Sequence, residues 1–205
     1  MWLAKENSAA AESSFRRAIT IRPDLAEAHN NLANLLAGVG NNAEAAYHFQ
    51  KALLFDPGSV EAHHSYGLLL VLMQSFDDAL RQLKQAVTLN PAAAQLHVDY
   101  ADVLLETRRA AEAESEYREA IRSAPQLAEA YYGLGNSLLA RQKTSDAVRA
   151  FQSAIERNPE YHEAHLALGS ALAALGKTAE ARVHLQKAAE SSDPAVRNAA
   201  LRALR

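Results

Sequence analysis

Residues 131–159 read YYGLGNSLLARQKTSDAVRAFQSAIERNP, and the proline at the end of this stretch belongs to a series that runs along most of the chain. Prolines stand at positions 23, 57, 91, 125 and 159, so each is separated from the next by 34 residues. Because proline has no backbone N–H and a fixed φ, it is found at helix ends and is poorly tolerated inside helices. A constant period of this length is typical of a helix-turn-helix unit that is repeated along the chain.

Two small residues and one large residue recur in front of each proline. Alanine lies five and twelve residues before it and a large side chain lies eight residues before it, as with Ala154, Ala147 and Phe151. These three positions share one helical face. On the helix after the proline, a large and a small residue recur side by side, as Leu134 and Gly135 do. We therefore expect two closely packed helices per unit, with the bulky side chain filling the space between them.

The segments between the two predicted helices of a unit are short and polar. In three of them, Asn42, Ser75 and Thr178 stand where a side-chain oxygen can accept a hydrogen bond from the first turn of the second helix. We therefore predict these residues as N-caps. Near the end of the chain, Asp193 and Pro194 are predicted to be the N-cap and the first residue of a final helix.

The pattern resembles the tetratricopeptide repeat, a helix-turn-helix unit with large, small and proline residues at fixed positions. The clearest match consists of Tyr131, Leu134, Gly135, Leu138, Ala147, Phe151 and Pro159. The resemblance implies an all-α fold, namely a right-handed α-α superhelix (a solenoid) of stacked antiparallel helix pairs with a C-terminal capping helix. On the observed period, the solenoid covers residues 1–192, with a partial first repeat at 1–23, full repeats at about 26–59, 60–93, 94–127, 128–161 and 162–192, and the capping helix at 193–205. Because Met1 falls inside the first predicted helix, we expect a segment of a longer protein.

The amino-acid composition excludes several classes of function. The chain has 205 residues, of which 49% are hydrophobic and 22% are charged, and its formal net charge is -3. It therefore lacks the basic excess of a nucleic-acid-binding domain, and its apolar runs are too short to span a bilayer. The absence of cysteine excludes disulfides, thiolate metal sites and cysteine catalysis. We expect a soluble protein, favour a cytoplasmic location, and predict neither nucleic acid nor a membrane as a partner.

Candidate catalytic and metal-ligating residues are few. Histidine stands in place of the family's first large aromatic residue at His29, His63, His97 and His165. We assign these histidines to packing between helices, although His162 and His165 flank Glu163 with the spacing of a zinc site on a helix. No serine or threonine lies in a nucleophile motif, and no glycine-rich segment follows a predicted strand. We therefore predict no catalytic residue, no metal site, no cofactor and no enzyme activity.

The resemblance implies that the first helix of each repeat lines the inner face of the solenoid and binds partners. On that basis, the predicted partner-binding groove consists of Glu27, Asn30, Asn31, Asn34, Glu61, His64, Leu68, Val71, Val98, Asp99, Asp102, Leu105, Tyr132, Asn136 and Glu163. Its positions are rich in acidic residues, lack lysine and arginine, and are apolar in the middle. We expect a non-enzymatic protein–protein interaction module that binds a protein or peptide with basic residues and apolar anchors. The alternative is that these glutamates only stabilise the helix N-termini.

Two other functions stay open. Some glycosyltransferases carry such repeats as a substrate-recognition arm, with a ladder of groove asparagines, but here only Asn31 occupies that ladder. The truncated first repeat also predicts an exposed apolar edge around Trp2, Leu3 and Phe15, through which the chain could self-assemble as a homodimer.

Overall fold

The computed structural model describes residues 2–205, with side chains described from Ala9 onward. Within residues 2–205 the chain forms twelve α-helices and no strand. The helices are α1 (Trp2–Ile21), α2 (Ala26–Gly38), α3 (Asn42–Phe55), α4 (Val60–Leu72), α5 (Phe76–Leu89), α6 (Ala94–Glu106), α7 (Ala110–Ser123), α8 (Ala128–Ala140), α9 (Thr144–Arg157), α10 (His162–Ala174), α11 (Thr178–Ala188) and α12 (Pro194–Ala203). The predicted all-α fold of helix pairs with a C-terminal capping helix is confirmed.

The prolines of the series all lie in the turns between helix pairs. In each case one helix ends two residues before the proline and the next begins three residues after it. The helices that follow the prolines (α2, α4, α6, α8 and α10) are called the first helices, and their partners (α3, α5, α7, α9 and α11) the second helices. Residues at a fixed distance after the proline therefore occupy the same turn of every first helix.

The helices form two compact units, which divide between Pro91 and Ala92. In the first unit, α2 packs against α3, α4 packs against α5, and α3 also packs against α4. In the second unit, the pairs α6–α7, α8–α9 and α10–α11 form in the same way, and α7 and α9 each pack against the first helix of the next pair. Each unit is therefore a stack of helix pairs.

Helix α12 covers the C-terminal end of the second unit. It begins at Pro194 as predicted, and the Asp193 carboxylate accepts a hydrogen bond from the backbone N–H of Ala195 at 2.8 Å. Its Val196 and Ala200 side chains are buried in a small apolar cluster with the end of α11. This burial removes apolar surface that the last helix pair would otherwise expose to water.

The N-cap predictions for the second helices were mostly wrong. Asn42 and Thr178 are the first residues of α3 and α11, and Ser75 occupies the N-cap position of α5 without a side-chain cap hydrogen bond. The backbone closes these turns instead. One residue in each turn has a positive φ: Gly40, Gln74, Arg108, Gln142 and Gly176. The N–H of the next residue then bonds to a carbonyl of the preceding helix, as in Lys143 N–H to Leu138 O at 2.9 Å.

In three of the helix pairs (α4–α5, α8–α9 and α10–α11) a glycine of the first helix faces a large side chain of the second, and in α2 and α6 a buried alanine, Ala33 or Ala101, takes the glycine's place in the sequence pattern. A Cβ atom on Gly135 of α8 would lie 2.3 Å from the ring of Phe151 on α9, and one on Gly67 of α4 would lie 2.7 Å from Leu83 on α5. Phe151 and Leu83 are both fully buried. The large side chain of the second helix therefore fills the space that the glycine leaves on the first helix, as the sequence pattern predicts.

Replacement of Gly135 by alanine tests this packing directly. The added methyl group would have to displace the Phe151 ring, and we expect the free energy of unfolding to fall by about 1–3 kcal/mol. Gly38 offers a matched control, because it is also helical but a Cβ there meets nothing within 4 Å. Gly38→Ala should be neutral or stabilising by up to about 1 kcal/mol. Urea denaturation of both variants measures the difference, and equal stabilities would contradict the packing assignment.

Histidine joins the inter-repeat turn to both helices of a pair. In His29, His63 and His165, Nε2 lies 3.1 Å from the carbonyl oxygen of the proline six residues earlier. The Nδ1 atom faces the residue nineteen positions later, which is His48 for His29 and His184 for His165. Because a carbonyl can only accept, Nε2 carries the proton and Nδ1 accepts from the second ring. The assignment of these histidines to packing is confirmed.

The two histidine–histidine contacts predict that the folded protein is less stable at acid pH. Burial lowers the pKa of His48, His165 and His184, and the charge of the partner ring lowers the pKa of His48 and of His184 further. The unfolded chain, with histidine pKa values near 6.5, therefore binds more protons, so the free energy of unfolding is highest above about pH 6.5 and falls as the pH drops below it.

Glutamine in place of His48 and His184 should weaken this sensitivity to acid, because its amide N–H can donate to Nδ1 of the first histidine and the amide does not titrate. The chain itself has this pairing at His63, whose Nδ1 contacts the side-chain amide of Gln82. We expect the double variant His48→Gln, His184→Gln to lose less of its melting temperature between pH 7.5 and pH 5.5 than the original protein. His64→Gln removes a histidine outside the two pairs and serves as the control. A double variant with an unchanged pH dependence of Tm would contradict the prediction.

Candidate functional site

The first helices lie next to one another within each unit, which brings the predicted binding residues onto shared faces. Helix α2 contacts α4 in the first unit, and α6 contacts α8 in the second. Of the predicted groove residues, Glu27, Asn34, Glu61, Leu68 and Asp102 are exposed, whereas Asn31, His64, Val71, Asp99, Leu105, Tyr132, Asn136 and Glu163 are half-buried. Asn30 and Val98 are buried, and they are therefore not the open groove residues that their spacing predicted.

In the first unit, amide groups hold the carboxylate of Glu61. The Nδ2 atoms of Asn30 and Asn34 on α2 donate hydrogen bonds to Glu61 Oε1 on α4 at 2.9 and 3.4 Å. Further along α4, Leu68 is 40% exposed and Leu72 is 73% exposed. The face thus presents a fixed negative charge beside accessible apolar surface, and the burial of Asn30 serves to fix that charge.

In the second unit, the first helices and their surroundings form a pocket of about 250 Å³. Its walls consist of Gln95, Val98, Asp102, Leu105, Tyr117, Glu129, Tyr132, Gly133, Asn136 and Tyr161, and we call it the acidic tyrosine pocket. Five of these residues were predicted from the sequence as groove residues. No lysine or arginine is among the residues described in its walls.

One wall of this pocket is formed by Tyr117, which the sequence pattern assigned only to the core. Its side chain is fully buried, yet its hydroxyl donates a hydrogen bond to Asp102 Oδ1 at 2.5 Å. The ring can reach this position because residue 133 is glycine, on which a Cβ atom would lie 2.2 Å from the ring. The pocket therefore depends on the same glycine-to-ring packing as the core.

Asp102 remains open to water although protein atoms surround it on the pocket wall. Desolvation by these neighbours raises the pKa of Asp102, the hydrogen bond from Tyr117 lowers it, and the nearby Asp99 raises it again. The net rise in this pKa indicates that the carboxylate is solvated less well than a surface aspartate. A cationic group at this place would therefore interact more strongly with Asp102 than with a fully solvated surface aspartate.

Tyr161, two residues after Pro159, was not predicted because it precedes its helix and lies outside the first-helix positions. Its ring lies beside that of Tyr132, with 5.0 Å between the ring centroids. Burial raises the pKa of Tyr161, and Tyr132, Glu129 and Glu163 raise it further. Glu129 lines the pocket together with both rings, and Glu163 lines the neighbouring pocket together with Tyr132, so the surroundings of the rings are negative.

A second pocket of about 360 Å³ adjoins the first and shares Tyr132 with it. Leu166 and Ala167 of α10 and Val196 of α12 contribute most of its apolar wall, and Glu163 lies at the same site. We call it the apolar pocket. Its wall includes α12, whose side chains the sequence pattern had assigned only to capping.

The first turns of the helices differ in how their acidic residues are paired. In every second helix, a first-turn carboxylate forms an ion pair with arginine or lysine: Glu44 with Arg16, Asp78 with Arg81, Glu112 with Arg109, Asp146 with Arg149 and Glu180 with Lys177. The first-turn glutamates of the first helices, which are Glu27, Glu61, Glu129 and Glu163, form no ion pair with lysine or arginine within the described part of the chain. Stabilisation of helix N-termini applies to both sets equally, so it does not account for the difference.

Basic side chains also gather around a buried carboxylate on a second helix. Glu114 of α7 is 2% exposed, and it pairs with Arg118 at 2.7 Å, with Lys143 at 3.4 Å and with Arg141. Burial alone raises the pKa of Glu114, but the hydrogen bond from Arg141 and the charges of Arg118 and Lys143 outweigh it, so the pKa is lowered. The sequence did not predict this cluster. It places cations where they do not neutralise the pocket carboxylates.

The remaining predictions concern metals, membranes and self-assembly. Among the residues whose side chains are described, no group of three or more histidine, aspartate or glutamate residues is arranged to hold a metal ion. None of the described helices is both long enough and apolar enough to cross a membrane. The side chains of Trp2 and Leu3 lie outside the described residues, so dimerisation through the N-terminal edge stays a prediction, and Phe15 is half-buried.

Solved structures with this fold span nearly the whole chain. YrrB, described as "a TPR protein with an unusual peptide-binding site", is 23% identical, with 92% of this chain and 96% of that chain covered and a TM-score of 0.75. PilF of Pseudomonas aeruginosa is 19% identical, with coverage of 91% and 85% and a TM-score of 0.75. A tetratricopeptide repeat protein from Parabacteroides merdae is 17% identical, with coverage of 94% and 77% and a TM-score of 0.79. At these identities the likeness shows the fold alone.

Family assignment follows from the sequence matches. Models of the tetratricopeptide repeat match residues 26–59, 67–128 and 132–196, which together make up well over half of the chain. A search of curated proteins found no match. The helix pairs stacked within each unit and these matches agree with the resemblance seen in the sequence, and the chain belongs to the tetratricopeptide repeat family.

Proposed function

We propose that the chain is a non-enzymatic interaction module that binds a partner polypeptide along the faces of its first helices. The partner would place basic residues against Glu61, Glu129 and Glu163 and apolar residues against the exposed leucines of α4 and the apolar pocket. The repeat boundaries predicted from the proline period, which the helix bounds support, would make each first helix one binding segment of this module.

The observation that carries this proposal is the difference in ion pairing between the two sets of helices. Each second helix has a first-turn carboxylate with a cationic partner in the protein itself, whereas the first-turn glutamates of the first helices have none among the described residues. Unpaired carboxylates on one face attract a cationic partner and repel an acidic one. The peptide-binding function stated for YrrB is consistent with this proposal.

The expected energies of the ion pairs and of the apolar contacts indicate which of them determines affinity and which determines selectivity. An exposed ion pair contributes about 0.2–1 kcal/mol, and salt at physiological strength screens charges beyond about 8 Å. Three such pairs could therefore account for about a tenfold change in affinity, while the apolar contacts would supply most of the rest. The carboxylates would act mainly on selectivity and on the rate of association.

Removal of the unpaired charges tests the proposal. The triple variant Glu61→Gln, Glu129→Gln, Glu163→Gln should bind a short fluorescent peptide, in which lysine and leucine alternate with alanine, about tenfold more weakly than the original protein. Fluorescence anisotropy at low and physiological salt measures this affinity. A peptide with glutamate in place of lysine should show no binding.

A second triple variant controls for net charge and for the helix N-termini. Asp78→Asn, Asp146→Asn, Glu180→Gln also removes three first-turn acids, but these are the ion-paired ones of the second helices. It should bind the lysine peptide as the original protein does. Equal loss in both triple variants, or equal binding of the lysine and glutamate peptides, would refute the proposed function.

A further inference from the structure

The acidic tyrosine pocket has the size of a single amino-acid side chain. Sites for drug-sized ligands have volumes of about 300–1,000 Å³, and this pocket, at about 250 Å³, is smaller. It is therefore better suited to one long side chain of a polypeptide than to a free metabolite. Its chemistry then determines which side chain it accepts.

Two carboxylates and two aromatic rings converge on this pocket. One oxygen of Asp102 accepts the hydroxyl of Tyr117, and Glu129 makes no hydrogen bond or ion pair within the described residues. The rings of Tyr132 and Tyr161 lie 5.0 Å apart beside them. Carboxylates supply acceptors and aromatic faces attract cations, so the combination recognises a positively charged group.

The same unit already contains the arrangement that such a guest would form. The guanidinium of Arg157 lies 3.9 Å from the ring centroid of Tyr131, and its Nε donates to the carbonyl oxygen of Pro125 at 2.7 Å. A planar guanidinium can stack on tyrosine and still direct its N–H groups to oxygen atoms around the ring edge. An ammonium group is more strongly hydrated and cannot stack, so arginine fits this pocket better than lysine does.

The apolar pocket specifies a second residue of the partner. Because the two pockets share Tyr132, their guests would lie about one aromatic ring apart. In an extended peptide, side chains two residues apart point to the same side, with about 6.5–7 Å between their Cα atoms. An extended segment can therefore place one side chain in each pocket.

We propose that the acidic tyrosine pocket binds an arginine side chain of the partner polypeptide, and that the apolar pocket binds an apolar residue two positions away. This proposal rests on the proposed function and names the chemistry that would be recognised in the second unit.

A peptide pair tests the proposal on the full chain. One labelled peptide contains arginine two residues before leucine among alanines, and the other has citrulline, the neutral analogue of arginine, in the same place. We expect the citrulline peptide to bind about tenfold more weakly. Glu129→Gln should weaken binding of the arginine peptide about 3-fold to 10-fold and leave the citrulline peptide unchanged, because the carboxylate then has no charged group to meet.

Two variants of Tyr161 test how much its aromatic ring contributes to binding of the arginine peptide. Tyr161→Leu should weaken binding of the arginine peptide about 2-fold to 5-fold, whereas Tyr161→Phe, which keeps the ring, should weaken it less. Glu156→Gln, on the exposed face of α9, serves as a charge control with no expected effect. Circular dichroism checks that each variant keeps its helix content.

Several outcomes would overturn the pocket assignment. These are equal weakening of both peptides by Glu129→Gln, equal weakening of the arginine peptide by Tyr161→Leu and Tyr161→Phe, and binding of the lysine–leucine peptide without binding of the arginine peptide. In each of these cases binding that depends on Glu61 leaves the proposed function standing. If no basic peptide binds, the proposed function fails as well.

Discussion

The close approach of a glycine to a large side chain is the constraint on which the rest of each unit depends. Gly135 faces Phe151 and Gly133 faces Tyr117, at distances that leave no room for a Cβ atom. A stack of helix pairs buries apolar surface only against its neighbours, so the register of one pair sets the position of the next. In the second unit the same contact also carries the hydroxyl of Tyr117 to Asp102. Core packing and pocket chemistry are therefore two consequences of one contact.

The turns between helix pairs show that one geometric requirement can be met by different chemistry. His29, His63 and His165 each approach the proline carbonyl with Nε2, and the Tyr131 hydroxyl donates to Pro125 O at 3.2 Å in the equivalent place. A histidine leaves its second nitrogen free to contact the second helix, which a tyrosine cannot do. In the tyrosine repeat, Arg157 supplies the additional contact by stacking on the ring. The histidine repeats thereby place against the turn a type of side chain that ordinarily titrates near neutral pH, and the tyrosine repeat does not.

The sequence predicted the architecture because the period, the small residues and the prolines are repeated many times, so that errors at single positions do not matter. It predicted the site less well because residues at the edge of a helix face can be either exposed or buried. Residues seven positions after the proline lie at that edge: Asn30 and Val98 are buried there, whereas Tyr132 is half-buried, although Val98 and Tyr132 both line the acidic tyrosine pocket. The size of neighbouring side chains decides between the two, and spacing does not encode it. Tyr117 and Tyr161 were missed for a related reason, since a core position and a turn position contribute to the pocket only after the helices have packed.

The surroundings of a carboxylate determine how strongly it attracts a cation of the partner. Between unit charges 4 Å apart, the Coulomb energy is about 1 kcal/mol in bulk water and about fourfold larger at the effective dielectric of a site partly enclosed by protein. Glu27 is exposed on α2 and belongs to the first case. Asp102 is also accessible to water, but it lines the acidic tyrosine pocket and accepts the hydroxyl of Tyr117, so it belongs to the second case. Desolvation by its neighbours raises its pKa accordingly. A cation in the acidic tyrosine pocket would thus interact more strongly than one on the open face of the first unit, and discrimination among partners would be concentrated in the second unit.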